Sequence, residues 1–548
     1  MSLPEPFISL VTPVYDPPID VLRATIESVV AQLDPRWELI LVDDASSEPR
    51  VRDVLREAAR TDARIRVLER ESNGHIVRAS NDGIALARGE FIGLLDHDDL
   101  LAPNAVKAMA AAVEATPEAD YLYSDEDKVG ADGEFYDLFR KPPWSPERLR
   151  GQMYTSHFSV LRTAVVREVG GFHEGFDGSQ DHDLVLRVTE RARRVVHVPQ
   201  VLYHWRAVAG SAALEPDAKP YAWLAGQKAV QAHIDREGIP AHVQLGPVPG
   251  TYRLDRTLDP AVRISVVIPT RGGAGLVWGE RRTFVLGAVR SVLEKGGHDN
   301  VEVVVVHDTD TPAEVLDELR EICGAQLTLL HYDKPFNFSE KCNLGVLGSE
   351  GDVVVLLNDD IEIVSDKFLA QLVAPLFDKG VGLTGGRLLF SDSTLQHAGL
   401  AFYRNHLSHM FYRELADDPG PFNALVVNRE CSGLTGACVA LRRSLYHEIG
   451  GMTESLPINY NDVDFSFKVG RANLNRVWVA NATAYHFESQ TREAVVARWE
   501  YEFLERRWVT PYQDLFVPDY GTTRGDIPKR KRKGRPGRQR NPAHRPTS

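Results

Sequence analysis

The chain has 548 residues, 43% of them hydrophobic and 26% charged. These are ordinary values for a folded chain of two or three domains, and they exclude a collagenous, mainly disordered or disulfide-scaffold protein. The formal net charge of −14 hides an asymmetry: from Lys529 onward there are nine Lys or Arg and no acidic residue, which leaves 54 basic against 77 acidic residues in the body, and an acidic body argues against nucleic acid as a partner.

In chain order, residues 7–13 (FISLVTP) predict a buried strand, and 21–32 a helix with apolar residues at helical spacing. A second strand at 37–42 (WELILV) ends in Asp43 and Asp44. A third at 90–95 (EFIGLL) ends in Asp96-His97-Asp98-Asp99. Residues 213–238 predict a mainly helical segment and 240–260 a Pro- and Gly-bearing linker. The pattern then returns: strand 263–269 (RISVVIP), helix 283–294, strand 301–306 (VEVVVV) ending in His307-Asp308, and strand 352–357 (DVVVLL) ending in Asn358-Asp359-Asp360. Gly272-Gly273-Ala274-Gly275 lacks GxGxxG spacing and reads as a loop. After Pro518 the pattern stops, and the Pro-, Gly- and Arg-rich tail has the composition of a disordered segment. No apolar run approaches the ~20 residues that span a bilayer. The first residues lack the basic and long apolar regions of a secretory signal. Cys323, Cys342, Cys431 and Cys438 form no CxxC pattern and read as reduced thiols, so a cytoplasmic protein is expected.

Four landmarks repeat in step. Pro13 to Pro269 is 256 residues, Asp98 to Asp360 is 262, Asp181 to Asp462 is 281 and His204 to His486 is 282. Kept order with smoothly growing spacing means a tandem duplication. The expected organisation is an α/β domain over 5–212, a helical segment and linker over 213–260, a second α/β domain over 261–520, and a basic tail over 521–548. Strands alternating with helices imply a parallel sheet covered on both faces, with ligands at the carboxyl ends of the strands.

Each copy places three polar sets after strands. Asp43-Asp44 and His307-Asp308 supply carboxylates that can accept hydrogen bonds from a nucleobase, or that hold the turn into the next helix. Asp96-His97-Asp98-Asp99 and Asn358-Asp359-Asp360 crowd carboxylates at the end of a buried strand, which a bound cation explains best. Asp181 (QDHDLVLR) precedes His204 by 23 residues, and Asp462 (NDVDFSFK) precedes His486 by 24.

With these motifs both halves resemble family 2 glycosyltransferases of the GT-A fold. The second half resembles the rhamnosyltransferase-like members through FNFSEKCN (336–343), LLNDDIEI (356–363), LQHAGL (395–400), TGACVALRR and NDVDF. The first matches through NDGIALARGEFIGLLDHDD, YSDEDK, DGSQDHDLVLR and VLYHWR. The resemblance implies inverting transfer of a sugar from a dTDP-, UDP- or GDP-linked donor to a growing or lipid-linked glycan in surface-polysaccharide synthesis. It places Asp43, Asp44, Asp96, Asp308, Asn358 and Asp359 at the nucleotide-sugar. Asp98, Asp360, His204 and His486 fall at a Mn²⁺ or Mg²⁺ ion, and Asp181 and Asp462 at the catalytic base. Two readings stand beside a bifunctional enzyme: one live domain with a degenerate partner, and a nucleotide-binding scaffold without transfer. The basic tail is expected to hold the protein at the inner membrane face, where anionic lipid attracts Lys and Arg.

Overall fold

A computed structural model describes residues 5–206, 220–403, 406–487, 497–508, 514 and 516. The basic tail and the membrane contact expected of it lie outside the described residues.

The duplication is visible in the topology. The first sheet runs Ile65–Glu69, Trp37–Asp43, Ile8–Val14, Phe91–Leu94, Ser159–Arg162, Ala119–Val129, Arg194–Arg206, Leu100–Leu101. The second runs Leu327–Tyr332, Val301–Asp308, Ile264–Thr270, Val353–Leu357, Cys438–Arg442, Val381–Leu389, Asn475–His486, Ile361–Ile363, the same order strand for strand. In each, the first four are parallel and the fifth joins antiparallel. The sheets are therefore mixed rather than purely parallel.

The central strands form because they are predominantly apolar and β-branched. All seven residues of Trp37–Asp43 and all seven of Ile264–Thr270 are buried, as a sheet covered on both faces requires. Polar exceptions are answered in pairs. Ser9 donates to Glu38 (2.7 Å) and accepts from the Gly89 N–H (2.8 Å). Ser265 donates to Glu302 and accepts from the Gly351 N–H (2.7 Å) at the equivalent positions. The helices His75–Leu86 and Phe338–Leu347 are tethered alike. Asn81 brackets the backbone of Phe172 at 2.8 and 2.9 Å, and Asn343 that of Met452 at 2.9 and 3.0 Å.

Two segments differ from the sequence reading. The helix expected within 213–238 is present as Pro220–Glu237, but the linker expected over 240–260 forms a hairpin, Ala241–Leu245 with Tyr252–Arg256. Val230 and Ile234 of the helix and Val243, Tyr252 and Leu254 of the hairpin enter the same core as Leu184 and Val185, so both complete the first domain. The glycine segment after Ile264–Thr270 is a hairpin, Ala274–Val277 with Glu280–Thr283, rather than a loop. Its Val277 packs with Phe284 and Phe487, which gives the hairpin a small core of its own. No helix among the described residues is long and apolar enough to cross a membrane, and the four cysteines are buried and unpaired.

Candidate functional site

Both clusters of acidic residues lie at the carboxyl end of the strand Phe91–Leu94 or Val353–Leu357. In the first half Tyr203 braces the turn: its hydroxyl donates to Asp99 at 2.6 Å and accepts from the Asp96 N–H at 3.3 Å. Asp99 also accepts the Arg206 N–H at 2.7 Å. Burial, then the charge of Asp96, pushes Asp99 up to about 8. Asp98 is raised too, chiefly by burial. His157 stacks on Tyr203 with ring centroids 4.7 Å apart and brings Nε2 to 4.0 Å from Asp96. Its backbone N–H donates to Glu126 at 2.9 Å, and the fully buried Lys141 ties Glu126 to the carbonyls of Thr155 and His157. Burial opposes charge on His157, but Glu126, Asp99 and Asp96 raise it to about 9.

Among the described residues, Asp96, Asp99 and His157 are the one group of three His, Cys, Asp or Glu whose ligand atoms lie within 4.8 Å of one another. Asp98 and His204, expected at the metal, are outside it; His204 instead bonds Asp127 through Nδ1 at 2.6 Å. Asp181 begins the helix Gln180–Arg191 and accepts from Gln180 at 2.9 Å. Burial, then the charge of Asp96, pushes Asp181 up to about 6, while His157 works the other way. Asp181, Asp96 and His157 thus share one electrostatic neighbourhood.

The second half builds a different set on the same frame. Asp360 lies 3.1 Å from His486 Nε2, and His486 Nδ1 meets Gln396 at 2.7 Å, so here the expected carboxylate and imidazole are together. Burial disfavours its charge, yet His486 holds Asp360 below the ordinary range. Burial and the charge of Asp360 push Asp359, which accepts from Thr270 at 2.6 Å, up to about 7. Asn358 Nδ2 lies 3.3 Å from His486 Nε2. Asp462 accepts from the Gly436 N–H at 3.2 Å, and the neighbouring Thr435 N–H donates to His397 at 3.3 Å.

After the second strand of each sheet, Asp44 accepts from Arg70 and from the Gly74 N–H (2.9 Å), and Asp308 from Lys341 at 2.8 Å. The cations come from different elements of the two halves and reach the same position. Asp43 is engaged within the protein, accepting the Ser46 N–H at 3.0 Å and pairing with Arg52 at 2.8 Å. The ring of His307, its counterpart, lies 5.5 Å from that of His331.

The motifs around Asp181 and Asp462 divide their labour. Asp183 and Arg187 form a buried pair at 2.6 Å, and Arg187 also donates to the carbonyls of Val169 and Gly171. Lys468 repeats this with Asp464 (3.7 Å) and the Gly451 carbonyl (2.7 Å). These residues anchor the helix that presents Asp181 or Asp462. His157 has no counterpart in the repeat, because strand register puts Ala437 at its position in the second half, so no repeated signal marks it in the sequence. Lys341, Gln396 and His397 lie inside quoted motifs, and their roles emerge only from contacts.

Residues 9–170 match the family model described as glycosyl transferase family 2, and residues 260–510 match that described as glycosyltransferase-like family 2. The chain belongs to glycosyltransferase family 2, as two tandem GT-A-type domains. It is 39% identical over 531 residues to uncharacterized protein y4gI of Sinorhizobium fredii, covering 94% of this chain and 57% of that protein. It is 36% identical over 518 residues to the O-antigen biosynthesis protein RfbC of Myxococcus xanthus, covering 93% and 40%. The chain thus spans about half the length of these curated relatives. Among solved structures it is similar to S. aureus TarS 1-349 in complex with UDP-GlcNAc, at 20% identity and a TM-score of 0.35 over 41% of this chain and 66% of that one.

Proposed function

We propose that each half transfers a sugar, with inversion, from a nucleoside-diphosphate donor to a growing glycan of a bacterial surface polysaccharide, and that the two halves perform distinct steps. The observation that carries this reading is the neighbourhood of Asp181. A carboxylate raised to about 6 beside the charge of Asp96 is poised to take a proton near neutral pH, which binding alone does not require. The similarity to an O-antigen biosynthesis protein supports the substrate class.

Crowded carboxylates joined by an imidazole fit a divalent cation of the Mn²⁺ or Mg²⁺ kind. Asp96, Asp99 and His157 would hold it in the first half, with Asp98 beside them, and Asp360 with His486 in the second. When bound, the ion neutralises charge on the donor diphosphate. The chain's own residues do the rest. Asp181 and Asp462 accept the proton of the acceptor hydroxyl. Asp44 and Asp308, steadied by Arg70 and Lys341, orient the nucleobase. Asn358 keeps a buried Oδ1 without a hydrogen-bond partner among the described residues, ready for a donor hydroxyl. The tail from Lys529 would bring the enzyme to anionic membrane carrying lipid-linked acceptors; equal sedimentation with liposomes of chains with and without residues 529–548 would remove that part.

The test is a pair of variants. Asp181→Asn and Asp462→Asn remove the proton acceptor but keep size, and loss of a general base costs about 10² to 10⁴ in rate. Each should stop the polymer at a different intermediate, and a mixture should restore extension if intermediates are released. Unchanged product from Asp181→Asn would leave one live domain, full transfer by both variants would take the base role from these two carboxylates, and no transfer by the wild type would leave a binding scaffold.

A further inference from the structure

Among the described residues the strand Phe135–Phe139 is an edge strand that pairs only with Ala119–Val129, through Val129 with Phe135, Lys128 with Tyr136 and Glu126 with Phe139. Its first four residues are exposed, and three of them are large and apolar: Phe135 is 57% exposed, Tyr136 41% and Leu138 41%. An edge strand with such residues in water invites pairing or aggregation, and proteins normally cover or charge it. The strip is not remote from the chemistry. The Phe135 ring lies 4.5 Å from that of His204, and Lys128 sits 5.4 Å over the ring of Trp205, the next residue. At its other end Phe139 stacks on Phe422 of the second half at 3.8 Å, so the strand runs from the first site to the contact between the halves. The second sheet branches at the equivalent place too, where Val381–Leu389 pairs antiparallel with Leu395–His397, but that strand is short and buried throughout, whereas the first four residues of Phe135–Phe139 are exposed.

Building on the proposed transferase reading, we propose that this hairpin is the acceptor platform of the first site and that it takes a neutral glycan. Pyranose rings present C–H faces that rest on aromatic rings, while their edge hydroxyls need hydrogen-bonding side chains at the rim. The hairpin and its neighbouring strand supply both. Tyr136 and Trp205, which flank Lys128 on one face of the sheet, are the rings, with Trp205 5.4 Å from the ring of His157, and Asp137 paired to Lys128 at 3.1 Å is the rim. Charge decides among occupants. Residues 127–140 carry Asp127, Asp132, Glu134 and Asp137 against Lys128 and Arg140. That excess of negative charge repels an anionic lipid surface and a uronate-bearing or sulfated glycan alike. A neutral saccharide meets no such penalty.

The experiment is saturation-transfer NMR on the full chain, with dextran and mannan hexasaccharides as neutral probes and a hyaluronan hexasaccharide as the anionic one. The wild type should saturate at least one neutral probe and leave hyaluronan unsaturated. Phe135→Ser with Tyr136→Ser should lower the neutral signal at least fivefold, whereas Tyr136→Trp should retain it; thermal melts confirm that each variant folds. Equal signals from wild type and double variant would overturn the proposal, as would no neutral binding by the wild type or hyaluronan binding as strong as the neutral. If the wild type is a dimer that the double variant converts to a monomer, the strip is a self-interface and the proposal also falls. Calorimetric titration of UDP, GDP and dTDP, each with Mn²⁺, into the wild type reports separately on the transferase reading, since absence of binding by all three would remove that reading without touching the saccharide result.

Discussion

His157 is the residue on which the first site's geometry turns. Its ring is held by stacking on Tyr203, and its backbone by Glu126 and Lys141, so it is delivered to Asp96 and Asp99 at little entropic cost. Placement of that quality is expected of a ligand, because an imidazole left to rotate binds a cation weakly. We predict that His157→Ala weakens Mn²⁺ binding at the first half by about 10- to 100-fold, by analogy with the effect of disturbing a metal's supporting shell. Electron paramagnetic resonance titration in an Asp360→Asn, His486→Ala background isolates that site. Unaltered affinity would return the ligand role to Asp98 and His204.

At the scale of elements, the two copies hold their helices against the sheet by the same small-residue contact. Gly83 lies against Val11 and Val42, and Gly345 against Val267 and Val306, so a Cβ at either position meets valine side chains at overlapping distance. These helices carry the asparagine tethers and lead into the acidic strand ends. Overpacking of this kind costs about 1 to 3 kcal/mol. Gly345→Ala should lower the urea midpoint accordingly while leaving the slope unchanged; an unshifted midpoint would show that the helix can ride outward freely. The linker hairpin obeys the same logic in reverse. Tyr252–Arg256 alternates buried with half-buried or exposed residues, which is the signature of a strand laid on a core and not of a free connection.

At the scale of the molecule, the halves are joined by buried charge. Arg256 pairs with Glu147 at 2.8 Å and Asp378 at 2.8 Å, and Arg150 bridges the same two carboxylates at 3.0 Å each. Removing one partner from such a set strands the others in low dielectric, at a cost of about 3 to 5 kcal/mol. Arg256→Ala should therefore split thermal unfolding into two transitions in calorimetry, one for each half. Next to this network Glu430 accepts from Ser145 and from the Glu147 N–H (3.0 Å). Burial, reinforced by the Glu147 charge, pushes Glu430 up to about 7 from an ordinary value of 4.5. The folded chain then binds a proton that the unfolded chain has released, so this group's contribution to stability falls as pH rises from about 4.5 to about 7. Across that window the loss amounts to at most about 3 kcal/mol. Glu430→Gln should flatten the decline, and chemical denaturation at pH 5 and pH 8 checks it: an identical difference in wild type and variant would mean that Glu430 is ionised throughout.

The sequence by itself determined the frame. Seven-residue apolar runs could only be strands buried on both faces, and the offsets of Pro13, Asp98, Asp181 and His204 to their counterparts revealed a duplication that the matched strand orders express. It also marked Asp96, Asp181, Asp360 and Asp462, because carboxylates at strand ends and helix starts stand out against an apolar background. Tertiary structure alone decided which groups meet. His157 comes to Asp96 across 61 residues of chain, Lys341 to Asp308 across 33, and Glu430 to Ser145 across 285. No local periodicity records such distances. The antiparallel fifth strand, the linker's place in the first core and the charged seam between the halves share that cause: hydrophobic pattern reports whether a segment is buried, while its neighbour is chosen by the packing of the whole chain.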